Sequence, residues 1–155
     1  EIKQIRMGIV GAGTWGRTHA SIYAEHLFAD PLAICDMNEA RAREIADEFG
    51  IRKVYTDYHD MAAEGDDAVA IVTPDFAHAD IACAMADAKK DILIEKPLAT
   101  TKEDIARICE AVERNGVRCM VDLHNRWNPP FNTAKQEISS GKLGNRIQHI
   151  SVTAM

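Results

Sequence analysis

Two groups of residues in this sequence have types and spacing suited to chemistry. In the first, Gly11, Gly13 and Gly16 form the pattern G-x-G-x-x-G, and Asp36 follows about twenty residues later. An apolar run, Met7 to Val10 with Gly8 inside it, precedes the glycines, and residues of helical type follow them. That is the context in which this pattern cradles a dinucleotide. Gly11 permits a tight turn out of a strand, Gly13 leaves no side chain between backbone and pyrophosphate, and Gly16 lets the helix pack close to the sheet. The phosphates then sit on the N–H groups around Thr14, Trp15 and Gly16, where the helix dipole favours negative charge. A Gly-rich turn without a ligand is the competing reading. Asp36 argues against it, because a carboxylate there accepts hydrogen bonds from the adenosine ribose hydroxyls and repels a 2′-phosphate. NAD is the expected cofactor, ahead of NADP. Arg41 is the one feature that would soften the preference, and it is expected on the solvent face of the second helix.

The second group lies further along. Thr73-Pro74-Asp75-Phe76-Ala77-His78 and Glu95-Lys96-Pro97-Leu98-Ala99 each follow an apolar run, and the carboxyl ends of parallel strands line the ligand crevice of an open α/β sheet. Lys96 can there give a proton or a hydrogen bond to a substrate oxygen, with partial burial tuning it for that task and Glu95 projecting beside it. An exposed ion pair at a strand end is the alternative. His78 is placed to approach the cofactor, with simple membership of the first helical turn as its alternative.

Bringing these residues together requires strands and helices in alternation. Strands are expected over residues 6–10, 32–36, a short stretch including Val54 and Tyr55, 68–72, 91–94 and 117–121. Helices are expected over 14 to about 28, 39–49 and 58–63, then from His78 through Ile81, Ala82 and Met85, and after Thr101. Pro31 closes the first connection. Asn38 and Thr101 read as N-caps, Gly50 and Asn115-Gly116 as stops. Ala42, Ile45, Ala46 and Phe49 form one apolar stripe, and Ile105, Ile108, Cys109 and Val112 another. The continuous apolar run 68–72 suits a strand buried on both faces. The predicted class is α/β, a doubly wound parallel sheet of the Rossmann type with helices on both faces.

Composition narrows the partners. The 155 residues carry 18 basic and 24 acidic side chains, a net charge of −6, with 46% hydrophobic residues. This is one ordinary domain with a real core and no basic patch for nucleic acid or an anionic membrane. No apolar run reaches the roughly twenty residues of a membrane span, and residues 1–4 lack a signal-peptide pattern, so a cytoplasmic protein is expected. Cys35, Cys83, Cys109 and Cys119 contain no C-x-x-C pair; they read as small buried hydrophobes, not disulfides, metal ligands or nucleophiles.

Taken together, these segments resemble the glucose-fructose oxidoreductase, inositol dehydrogenase and rhizopine-catabolism (Gfo/Idh/MocA) family. The resemblance rests on residues 8–16, 73–78, Glu95-Lys96-Pro97-Leu98-Ala99 and His124-Asn125-Arg126-Trp127-Asn128-Pro129. Ser140-Gly141-Lys142-Leu143-Gly144 with Ile147-Gln148-His149-Ile150 is also similar to the family's passage into its second domain. It implies a nicotinamide-dependent dehydrogenase of sugars, polyols or related substrates. Lys96 would polarise the reacting hydroxyl as the catalytic residue, and Glu95 would lie near the nicotinamide ribose. Thr73 and Pro74 would border the cofactor, Arg126 would reach its nicotinamide end, and the Lys96–Pro97 bond would be cis. Trp15 matches an aromatic position beside the cofactor, with ordinary helix packing as its alternative. The implied organisation is a cofactor domain over 1–123. Residues 124–155 form a linker, helix and first strand, 147–153, of a second α+β domain with an open antiparallel sheet. That domain supplies an Asp and a His absent here and carries homo-oligomerisation, so the chain reads as a fragment that binds NAD and turns over nothing. A cofactor-sensing module without catalysis is the alternative, against which Lys96 speaks.

Overall fold

The computed structural model describes residues 3–144, 146, 149 and 151. The chain divides into two compact units, Glu1–Asp122 and Leu123–Met155. In the first, six parallel strands are laid in the order β3-β2-β1-β4-β5-β6: β1 Ile5–Val10, β2 Ala29–Cys35, β3 Lys53–Tyr55, β4 Ala68–Ile71, β5 Asp91–Glu95 and β6 Cys119–Asp122. The helices between them are α1 Thr14–Glu25, α2 Glu39–Phe49, α3 Tyr58–Ala62, α4 His78–Asp87 and α5 Lys102–Asn115. This is the doubly wound α/β fold that the alternation predicts.

Pleating places successive strand residues on opposite faces, and two cores result. Ile9 and Ile34 pack with Ala20, Ala42, Ile45 and Ala46 of α1 and α2. Val10, Val69, Ile71, Ile92 and Ile94 pack on the other side with Met61, Ile81, Met85 and Ile108 of α3, α4 and α5. The caps act as their residue types predict. Asn38 Oδ1 accepts from the Arg41 N–H, Thr101 Oγ1 accepts from the Asp104 N–H, and Gly50 and Gly116 take the left-handed conformation at the helix ends.

Three local expectations need correction. Helix α1 stops at Glu25 rather than near residue 28, and β2 begins at Ala29, because the Ile5 N–H binds the Phe28 carbonyl and Ala29 pairs with Ile5. Pro31 therefore lies within a strand. It is tolerated there because the register shifts next to its partner Met7 and β3 reaches only Ala33–Cys35, so no ladder bond requires its missing N–H. The buried line of α5 is Ile108 and Ala111, whereas Ile105 and Cys109 are exposed. Arg107 and Arg114 reach Asp80 and Asp87 of α4 in solvent-exposed ion pairs, and the packing of Ile108 and Ala111 into the core sets the rotation of α5. Of the four thiols only Cys35 is buried outright. Burial, with Asp57 and Asp36 nearby, pushes it up to about 12 and leaves it unreactive.

In the second unit a 3-10 turn, His124–Arg126, leads to α6, Pro129–Ser139, which starts on a proline that needs no N–H partner. The strand expected over 147–153 falls, His149 and Ser151 apart, outside the described residues.

Candidate functional site

The strand order reverses between β1 and β4, so a crevice opens at their carboxyl ends. Gly11 leaves β1 with φ +110°, its N–H bonded to the Cys35 carbonyl at 2.8 Å. A Cβ there would stand 2.7 Å from the Val72 carbonyl oxygen, and one on Gly16 would stand 2.0 Å from the Gly11 oxygen. The protein's own packing therefore demands both glycines. Gly13 differs: a Cβ there meets nothing within 4 Å. It caps α1 with no side-chain bond, so no side chain covers the helix start. A glycine that packing does not need, facing open space at a helix N-terminus, fits a pyrophosphate group.

Asp36 stands at the far wall of this turn. Its Oδ2 accepts from the Ala12 N–H at 2.7 Å and its Oδ1 from the Asn38 N–H at 2.8 Å, which orients the carboxylate and leaves lone pairs on both oxygens for ribose hydroxyls. A cavity of about 330 Å³ opens here, lined by Ala12, Gly13, Thr14, Arg17, Arg41, Glu44 and Ile45. Arg41 thus faces this concavity as well as solvent, a placement that helical periodicity alone does not reveal. Thr14 and Trp15 are exposed at the first turn of α1.

At the next strand exits, Thr73 and Pro74 follow β4, and the Thr73 hydroxyl is buried without a hydrogen-bond partner among the described residues. His78 opens α4 at 1% exposure. Its Nδ1 lies 2.8 Å from the Pro97 carbonyl oxygen and its Nε2 3.0 Å from that of Thr73, so the ring is committed to backbone rather than offered to the crevice. Lys96 is exposed, so the partial burial expected for it is not met, and the Lys96–Pro97 bond is cis. Glu95 is 5% exposed; its Oε2 accepts from the Lys96 N–H and its Oε1 faces His19 Nε2 at 3.4 Å.

His19 and its surroundings escape sequence reasoning. His19 also lies 3.9 Å from Asp122, the register partner of Glu95 in β6, and its Nδ1 lies 2.9 Å from the Tyr23 hydroxyl. The ligating atoms of His19, Glu95 and Asp122 all fall within 4.8 Å of one another. Burial first, then the charges of Asp122 and Glu95, raise the Tyr23 phenol and keep it neutral. Position 19, one helical step past Gly16 on the sheet side of α1, was the only available signal. Arg126 is exposed in the second unit.

No helix among the described residues is long and apolar enough to cross a membrane. Comparison with known proteins agrees with the architecture. The chain is 36% identical over 144 residues to an inositol 2-dehydrogenase of Salmonella typhimurium, covering 90% of this chain and 43% of that protein. It is 33% identical over 152 residues to a scyllo-inositol 2-dehydrogenase (NAD(+)) of Bacillus subtilis, covering 97% and 44%. The crystal structure of scyllo-inositol dehydrogenase from Lactobacillus casei with bound NAD(H) and scyllo-inositol superposes with a TM-score of 0.85 at 28% identity, covering 92% of this chain and 43% of that one. The chain spans less than half the length of the curated relatives it matches. The profile of the oxidoreductase family with an NAD-binding Rossmann fold matches residues 5–123, a span that holds the glycine turn, Asp36, both strand exits and Lys96, and the chain belongs to this Gfo/Idh/MocA family.

Proposed function

We propose that this chain is the cofactor platform of an NAD-dependent dehydrogenase acting on a carbinol carbon of inositol or a related polyol or sugar. The carrying observation is the contrast among the glycines: Gly11 and Gly16 are required by packing, whereas Gly13 opens on space beside the oriented Asp36 carboxylate. Bound there, NAD supplies the hydride acceptor or donor at C4 of its nicotinamide. The glycine turn and the start of α1, with Thr14 and Trp15, hold the pyrophosphate; Asp36 accepts from the adenosine ribose and disfavours a 2′-phosphate. Thr73 and Pro74 border the nicotinamide half, with Glu95 on its ribose side. Lys96, at the carboxyl end of β5, holds or donates a proton at the reacting oxygen of the substrate.

The same reading makes 1–123 the cofactor domain and 124–155 the start of the substrate domain, and counts Arg126 among the cofactor-binding residues. It places the whole protein in the cytoplasm as a homo-oligomer. The test is calorimetry of NAD and NADP against the 155-residue chain, followed by Lys96→Ala in the longer protein that contains it. The chain is expected to bind NAD in preference to NADP, and Lys96→Ala to lower kcat ~100-fold with NAD affinity retained. A chain that folds but binds neither cofactor overturns the reading.

A further inference from the structure

His78 joins two loops that the sheet leaves separate. Thr73 follows β4 and Pro97 follows β5, and on leaving their strands these segments have no ladder to hold them in register. The imidazole spans the gap, with Pro97 O at 2.8 Å on one nitrogen and Thr73 O at 3.0 Å on the other, at 1% exposure. A neutral imidazole carries one N–H, so only one of these carbonyls receives a hydrogen bond; donation from Nδ1 to Pro97 O, the shorter contact, is a directional bond that joins the segment after β5 to the head of α4. On the other side of Lys96, Glu95 is buried against His19. The backbone of Lys96 is thus gripped before and after, while its side chain is exposed.

We propose that His78 is a positioning residue that, through its Nδ1–H bond to Pro97 O, ties the exit of β5 to the head of α4 and so sets where Lys96 stands over the bound nicotinamide. The role in positioning rests on the NAD-binding reading above; the tie itself does not.

The test separates the two ring nitrogens. In His78→Asn the side-chain amide takes the place of Nδ1 and can still donate to Pro97 O. In His78→Gln it takes the place of Nε2 and can reach only Thr73 O. His78→Leu makes neither bond. In the ligand-free chain, hydrogen exchange over residues 95–99 is expected to match wild type in His78→Asn and to quicken about tenfold in His78→Gln and His78→Leu, the loss of one tie of ordinary hydrogen-bond strength. Equal exchange in the Asn and Gln variants overturns the tie, whether or not NAD binds.

The second arm is acylation of Lys96 with and without NAD, followed by peptide mass spectrometry. With NAD at ten times its Kd, shielding of wild type and His78→Asn is expected to be about tenfold. In His78→Gln, NAD still binds through the adenosine half, within about threefold of wild type, and shielding falls below about twofold. Shielding undiminished in His78→Gln overturns the positioning role. A wild-type chain that fails to bind NAD instead overturns the proposed function, and the exchange arm still judges the tie.

Discussion

The sharpest perturbation is a pair of alanines, one at Gly16 and one at Gly13. On Gly16 the new Cβ would lie 2.0 Å from the Gly11 carbonyl oxygen and 2.9 Å from its carbon, where real Cβ contacts do not fall below 3.0 Å. The start of α1 must therefore retreat by at least 1.0 Å, the difference between those two distances. Gly11 is held in place by its N–H bond to the Cys35 carbonyl. Overpacking costs ~1–3 kcal/mol, and a clash of backbone with backbone sits at the upper end of that range. A loss of ~3 kcal/mol lowers Tm by about 10 °C in a domain of this size. Gly13 has φ −79° and ψ −164°, a conformation open to any L-residue, and its Cβ meets nothing. Gly13→Ala is expected to melt within a few degrees of wild type, since alanine narrows the unfolded ensemble but is a poorer N-cap than glycine. It is expected nonetheless to bind NAD ~10-fold or more weakly, about 1.4 kcal/mol, because the methyl group stands where the pyrophosphate approaches. Thermal melts and NAD calorimetry on both variants read the two effects separately. Gly16→Ala melting with wild type, or Gly13→Ala binding NAD normally, would refute the reasoning.

Three further outcomes follow from the same geometry. Asp36 accepts from one backbone N–H on each oxygen, so Asp36→Asn removes the charge together with one of these two bonds; the preference for NAD over NADP is expected to narrow by ~10-fold, and an unchanged ratio on titration with both cofactors sinks the assignment. His19→Leu leaves the Glu95 carboxylate buried without its imidazole partner and is expected to lower stability by ~1–3 kcal/mol in urea, with part recovered on adding Glu95→Gln; no recovery means the pair does not interact. Arg6 holds Asp67 down at about 2, and Arg52 and Arg118 hold Asp30 and Asp91 below the usual carboxylate range. These folded values lie below the unfolded ones, so the stability they contribute is complete near neutrality and lost as pH falls through about 4 toward 2. Buried Asp66 is raised and works in the opposite direction. Glu64, Asp87 and Asp104 are held down as well; one group against six leaves a net fall, and a urea midpoint that rises between pH 5 and pH 3 would contradict it.

The order of elements, the caps, the glycine turn and the place of Asp36 and Lys96 at strand ends are all legible in the order of the amino acids. Each of these is local: a residue's own conformational range, a cap three residues from its partner, or an apolar period of two or 3.6 fixes it without reference to the rest of the chain. The tertiary structure alone decided what depends on strand order and helix rotation. Pro31 entered a strand because pairing with β1 outweighed the helical run before it. Helix α5 turned Ala111 inward and Cys109 outward because Ile108 and Ala111 pack into the core beside Ile81 and Met85 of α4. His19, Glu95 and Asp122 meet only because β5 and β6 end side by side beneath α1, and no spacing along the chain announces that meeting. His78 shows the same division within one residue. Its place at the head of α4 is written in the sequence, whereas its task depends on the Pro97 carbonyl beyond β5, which only the packed sheet brings to its ring.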